Sequence, residues 1–170
     1  MTALRWVAAL LLVSFALILQ VSVFSSFAWD GIVPDLVLLV VVAASLARGG
    51  QFGMVLGFAA GVLLDLAPPA DHTAGRWALA LLVAGYVAGR ARQSDAPRPT
   101  PLSAVATVAA CSFVSSSIFA LTGLVLGEGT RSVGQMLEVI GIGLLWDVLL
   151  TPIVLPGVMA LFRRLEAEPV

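Results

Sequence analysis

Long stretches of this chain carry no charge at all. Residues 6–29 run for 24 positions between Arg5 and Asp30 without one. At ~1.5 Å per residue, a helix of that length crosses a hydrocarbon core of ~30 Å. A charge inside such a core is expensive on any scale, so charge-poor intervals are the natural markers of spans. They predict one six-helix transmembrane domain over residues 1–170, with spans near 6–29, 34–47, 52–67, 75–89, 102–126 and 133–162. The fold class expected is an all-α polytopic membrane protein. Ser26-Phe27-Ala28 has the small-x-small form of a signal-peptide cleavage site. The apolar stretch before it exceeds an h-region of about 7–15 residues, which favours a retained helix.

Local signals bound the remaining spans. Pro34 is read as the N1 proline of the second helix, which ends at Arg48-Gly49-Gly50-Gln51. The third helix runs to Asp65 and stops before Pro68-Pro69. Both are short. A re-entrant hairpin would bury Arg48 and a glycine turn in the bilayer, so spanning with local thinning or protein cover is the cheaper solution. Residues 91–101 alternate prolines with polar residues and form a stiff, extended cytoplasmic loop. Helix ends carry the arginines that set orientation. With the N-terminus inside, Arg5, Arg48, Arg90, Arg92, Arg98, Arg163 and Arg164 lie in the cytoplasm, and only Arg76 and Arg131 outside. That bias places both termini in the cytoplasm. Trp29 and Trp77 fall at outer boundaries and Trp6 near the inner one, as in an interfacial aromatic belt.

Composition removes most other functions. Apolar residues make up 60% and charged residues 11%, against about 25% charged in soluble domains. The nine basic residues are all arginine and ten acids offset them, so there is no basic field for nucleic acid. A single cysteine, Cys111, excludes an internal disulfide and a cysteine-based zinc site, and reads as a small apolar filler. A single histidine, His72, excludes a histidine metal cluster and a two-imidazole relay. No catalytic, cofactor-binding or metal-binding residues are assigned: the Ser-His pair, paired intramembrane aspartates or metal-ligating His pair of an intramembrane protease are all missing. Asp35, Asp65 and Asp71 lie near the outer interface, where solvation is the default.

Two features stand out. Asp147 falls near the middle of the sixth span, where an acid normally faces the bundle interior with a partner or a proton. The simplest partners are the serines of the fifth span, Ser112, Ser115, Ser116 and Ser117; a proton site or a contact with another protein is the functional alternative. Trp146 beside it is deep, and is expected inside the bundle or at an interface. Gly49, Gly53, Gly57 and Gly61 repeat every four residues, and Gly85 and Gly89 repeat the spacing on the fourth span. Small-xxx-small spacing lets helix backbones approach closely, and sequential helices two to four are the expected partners. Pro152 and Pro156 are expected to kink or interrupt the sixth helix.

The residues also resemble a family. Pro34-Asp35-Leu36 opening an apolar helix, Arg48-Gly49, Gly53-x-x-x-Gly57-x-x-x-Gly61-x-x-Leu64-Asp65, and Gly85-Tyr86-x-x-Gly89-Arg90 resemble the rod shape-determining protein MreD family. A last helix with Pro152 before Arg163-Arg164 agrees. The specific part covers roughly residues 32–92. Arg76 stands where the family pattern is usually apolar, and Asp147 where it is usually neutral and polar. The resemblance implies a multi-pass protein of the bacterial cytoplasmic (inner) membrane: a non-catalytic subunit of the machinery that elongates the lateral cell wall. It implies MreC, MreB, and RodA with its penicillin-binding transpeptidase as partners, besides membrane lipid. It also implies a fold similar to the substrate-binding subunits of energy-coupling-factor transporters, whose vitamin transport is the alternative function. Those subunits often dock through Ala-x-x-x-Ala on the first helix; here such pairs are Ala43/Ala47 and Ala106/Ala110, on the second and fifth.

Overall fold

The computed structural model describes residues 2–29, 31–68, 72–92, 99–128 and 132–167, with only the backbone at 2–4 and 165–167. Arg98, Arg131, Asp71 and the centre of the proline-rich loop, 93–98, lie outside the described residues. The described chain is helical: α1 (Thr2–Ser22), α2 (Leu36–Arg48), α3 (Gly50–Leu66), α4 (Arg76–Arg90), α5 (Pro101–Val125) and α6 (Val133–Ala167), with one 3-10 turn at Phe24–Phe27. Three helices, α1, α5 and α6, are long and apolar enough to cross a membrane, whereas α2 and α3 are apolar but shorter.

The shortest helix is the centre. Every residue of α2 from Leu36 to Leu46 is buried, and α2 packs against all five other helices. A helix that is apolar all round has no face to offer water, and here protein surrounds it. Its start differs from the expected one. Asp35, not Pro34, governs it: the Asp35 carboxylate accepts the Leu38 N–H at 2.9 Å, so Asp35 is the N-cap and Leu36 the first helical residue. Pro34 precedes the cap. At the other end Gly49 takes φ 93° and donates its N–H to the Ser45 carbonyl at 2.7 Å, and α3 begins at the next residue. Gly49 is thus the turn itself rather than the first member of the helical glycine stripe, because a left-handed φ cannot belong to a right-handed helix.

The other glycines hold α3 and α4 together along their length. A Cβ on Gly53 would overlap the Gly85 carbonyl oxygen and Ser45 Oγ. One on Gly57 would overlap the Leu81 carbonyl, and one on Gly61 the Ala78 Cα and Trp77 carbonyl. From the α4 side, Gly85 meets Gly53, and Gly89 meets Gly50. Backbone touches backbone within a single chain, so dispersion acts across the pair with no side chain between.

At the opposite end of the bundle from the α3–α4 loop, Trp6 of α1 stacks on Phe52 of α3 with ring centroids 4.5 Å apart, and Phe162 of α6 meets Phe52 edge-on at 6.0 Å. The Arg48 guanidinium carbon lies 5.2 Å from the centre of the same ring. Pro152 and Pro156 lie inside α6, yet the helix continues through both to Ala167, contrary to the interruption read from sequence. Each proline removes one backbone N–H donor, but the helix already extends well beyond them on both sides, and flanking turns carry it across.

Glycine contact makes a direct prediction. Gly57→Ala places one methyl against the Leu81 carbonyl and should destabilise the purified protein by about 1–3 kcal/mol, the usual scale of overpacking. Gly141→Ala on α6, with nothing within 4 Å of its Cβ, should be neutral or gain up to about 1 kcal/mol from helix propensity. Thermal unfolding in detergent distinguishes the two. Equal melting temperatures would show that the α3–α4 contact yields without cost.

Candidate functional site

Asp147 sits at a three-helix junction. It projects from the middle of α6 with only 2% of its surface exposed. Ser112 on α5 donates its hydroxyl to Asp147 Oδ2 at 2.6 Å, and the Asp35 backbone N–H donates to Oδ1 at 2.8 Å. One carboxylate therefore ties α6 to α5 and to the N-cap of α2. The serine cluster is only partly involved. Ser115 donates back to the Ser112 carbonyl at 3.4 Å, and Ser116 lines a neighbouring cavity. A helical repeat puts Ser112, Ser115 and Ser116 on one face but at successive heights, and Asp147 meets the first of them. Of the remaining candidates, Cys111 is fully buried, its Sγ 3.5 Å from the Ala84 carbonyl oxygen. Trp146 Nε1 is buried and makes no hydrogen bond among the described residues.

Beside this junction is a cavity of about 470 Å³ between the end of α1, the start of α2, and α4, α5 and α6. Asp147 lines its buried side, and Glu138, nine residues earlier on α6, lines it from an exposed position. Asp35, Gln20 and Ser116 add polar atoms, and Trp77 an aromatic wall.

The end of the bundle where α3 stops and α4 starts carries a second polar cluster, and here the expectation of solvation fails. Asp65 is 4% exposed. Its carboxylate accepts the backbone N–H groups of Gly75 at 2.8 Å, Trp77 at 3.1 Å and Ala78 at 3.1 Å, and lies 3.2 Å from His72 Nε2. A helix start leaves its first N–H groups without partners, and Gly75, the N-cap of α4, has no side chain to supply one. Asp65 on α3 caps α4 from outside, with its negative charge at the positive end of the helix dipole. Asp35 is half-buried in the same way, as the α2 cap. Spacing could not announce the Asp65 contact, although a glycine where α4 needs a cap hinted at an acceptor from elsewhere.

Arg76 explains how the cluster closes. Its guanidinium lies over the Phe119 ring, 3.8 Å from the centroid, and donates to the Phe119 carbonyl at 2.6 Å and to Glu128 at 2.6 Å. Glu128 also accepts the Thr73 N–H at 2.9 Å and the Thr73 hydroxyl. Gly123 leaves room for the guanidinium, since a Cβ there would collide with it. Trp77 stacks on the other side of the cluster, 4.4 Å from Phe119. The loop before α4 and the turn after α5 are thereby clasped, and the Trp77 wall of the cavity is held in place.

Comparison with known proteins agrees with this helical architecture. The family described as rod shape-determining protein MreD matches residues 1–165 of the 170-residue chain. The chain belongs to the MreD family. No curated protein and no solved structure matches it. Membership implies a role in determining rod shape, and three long apolar helices agree with a membrane protein. Two positions noted as unusual for the family are both structural anchors in this chain: Arg76 holds the clasp and Asp147 the three-helix junction.

The clasp predicts a pH signature. Hydrogen bonds from the Thr73 hydroxyl and backbone, together with the Arg76 charge, hold the Glu128 carboxyl below its ordinary value of 4.5. A depressed carboxyl contributes stability that is complete above the unfolded-state value and disappears as pH falls through the folded-state value. Glu128→Gln should therefore lower the melting temperature slightly at neutral pH, because Glu128 is exposed to solvent. The difference from wild type should close in the range below 4.5. A difference that persists unchanged into acid would assign the effect to something other than the ionised carboxylate.

Proposed function

We propose that this chain is a non-catalytic, multi-pass subunit of the cell-wall elongation machinery of rod-shaped bacteria, resident in the cytoplasmic membrane. Family membership over residues 1–165 carries the reading. In this reading all six helices span, with both termini in the cytoplasm. The short helices α2, α3 and α4 have 13, 17 and 15 residues, or about 20–26 Å at ~1.5 Å per residue. That is less than a hydrocarbon thickness of ~30 Å. Enclosure supports the assignment for α2, which protein covers on every side, so its shortfall need not be met by lipid. For α3 and α4 the mutual backbone contact supplies part of the same cover.

The function is assembly rather than chemistry. The polar side chains at the two described clusters are engaged in caps, an ion pair and a helix junction, which are tasks of positioning. MreC is the first partner of the reading, with MreB at the cytoplasmic face and RodA with its penicillin-binding transpeptidase in the same assembly. The broad apolar surfaces of α1, α5 and α6 are then shared between lipid and those partners.

Two measurements test this. Depletion in a host that elongates through its side walls should widen or round the cells, and tagged protein in mild detergent should retain MreC. Vitamin auxotrophy with unchanged shape would instead favour the transporter-like alternative. For topology, Ala74 and Ala91 are exposed at opposite ends of α4. In a Cys111→Ser background, an impermeant thiol reagent outside intact cells should label Ala74→Cys and leave Ala91→Cys untouched. The opposite pattern overturns the orientation.

A further inference from the structure

The cavity beside Asp147 gathers acidic side chains that no described cation offsets. Asp147 is almost wholly buried in the middle of α6, and no cation among the described residues pairs with it. Its two hydrogen bonds occupy one position on each oxygen, whereas a carboxylate offers about four lone-pair sites. The second acid at the junction, Asp35, adds like charge, and Glu138 adds a third at the exposed side of the same cavity. Buried charge in a membrane segment requires a partner or a proton. The remaining walls are mixed: Ile32, Val33 and Ile142 are aliphatic, Trp77 presents an indole stacked on Phe119, and Gln20, Ser116 and Gln135 are neutral and polar. About 470 Å³ is within the range of small-molecule sites, and a lining that is part polar and part apolar suits a ligand with both kinds of surface.

From this geometry we infer that the cavity binds an amphipathic ammonium ligand. Its cationic head is seated at the free lone pairs of Asp147, its approach passes Glu138, and its hydrocarbon part lies against Ile142 and the Trp77 ring. An ammonium group suits the seat because it brings three donors and a positive charge to acceptors only. A neutral ligand would leave Asp147 to hold a proton, and an anion would face three carboxyl groups. Two sources share this chemistry, a free alkylamine and the amine headgroup of a membrane lipid. The inference goes beyond the assembly role and does not rest on it, since the isolated protein suffices to test it.

The probe is n-hexylammonium, with 1-hexanol as its neutral counterpart, titrated against the full chain in phosphatidylglycerol nanodiscs by calorimetry and thermal unfolding. The amine should bind saturably and raise the melting temperature, and the alcohol should do neither. Asp147→Asn keeps the side-chain size and should weaken amine binding by about tenfold or more, as loss of a buried charge partner does. Glu138→Gln, at an exposed site, keeps the test decisive if the first variant folds poorly, and should weaken binding severalfold with the unliganded melting temperature unchanged. Replacing part of the lipid with phosphatidylethanolamine separates the sources: competition with the probe assigns the site to a lipid headgroup, and undiminished binding assigns it to a free amine. Equal binding of hexanol and hexylammonium overturns the proposal, as does amine binding untouched in both variants. Absence of amine binding to the folded wild type also overturns it, and leaves Asp147 as a carboxyl that simply carries a proton.

Discussion

Complete enclosure of α2 is the constraint from which the remaining architecture follows. From Leu36 to Leu46 it presents apolar side chains in every direction and buries all of them. Such a helix can be stable only if five others close around it, and they do. Enclosure also relaxes the demand on length, because a helix covered by protein does not have to match the bilayer by itself. With a single residue, Gly49, between them, α2 and α3 must lie side by side. The glycines of α3 then draw α4 into backbone contact, and α4 also packs against α2. The remaining long helices, α1, α5 and α6, complete the wall.

Polar residues act as fasteners between these elements, and each fastener joins residues ten or more positions apart in sequence. Asp65 on α3 satisfies the start of α4. Arg76 and Thr73, around that start, reach Glu128 in the turn after α5. Asp147 on α6 receives Ser112 from α5 and the Asp35 backbone from the start of α2. Where water is scarce an unsatisfied donor or acceptor is costly, so a few such contacts define register more sharply than apolar packing, which tolerates sliding. The family role is in determining rod shape, and the exposed faces of α1, α5 and α6 are rich in large apolar side chains.

Asp35 and Asp147 illustrate how one contact can serve both fold and site. As a cap, Asp35 must place its backbone N–H at the top of α2, and that N–H is the donor that fixes Asp147. The cavity beside them exists because α6 carries Glu138 outward while Asp147 remains at the junction. Any ligand there would therefore sense the α2–α5–α6 junction directly.

Helix number and approximate extent were legible in the sequence, because charge-free length and glycine or proline breaks are local and the cost of exposing backbone in lipid leaves only helices. The glycine spacing also marked which helices could approach closely. What spacing could not decide was the partner of each polar residue. Asp65 looked like a solvated interfacial acid, since the donors it satisfies lie ten and more residues onward and become neighbours only when α3 and α4 fold back on each other. Gly49 looked like one more member of a stripe until its positive φ placed it in the turn. Ser115 and Ser116 carried the same signal as Ser112, and only the height at which α6 crosses α5 selected one of the three. The sequence by itself determined that this chain makes apolar helices and roughly where they stop, because those properties depend on neighbours along the chain. Tertiary structure alone decided which helix is central, which acids are buried and where a cavity opens, because those depend on contacts between residues that the sequence leaves far apart.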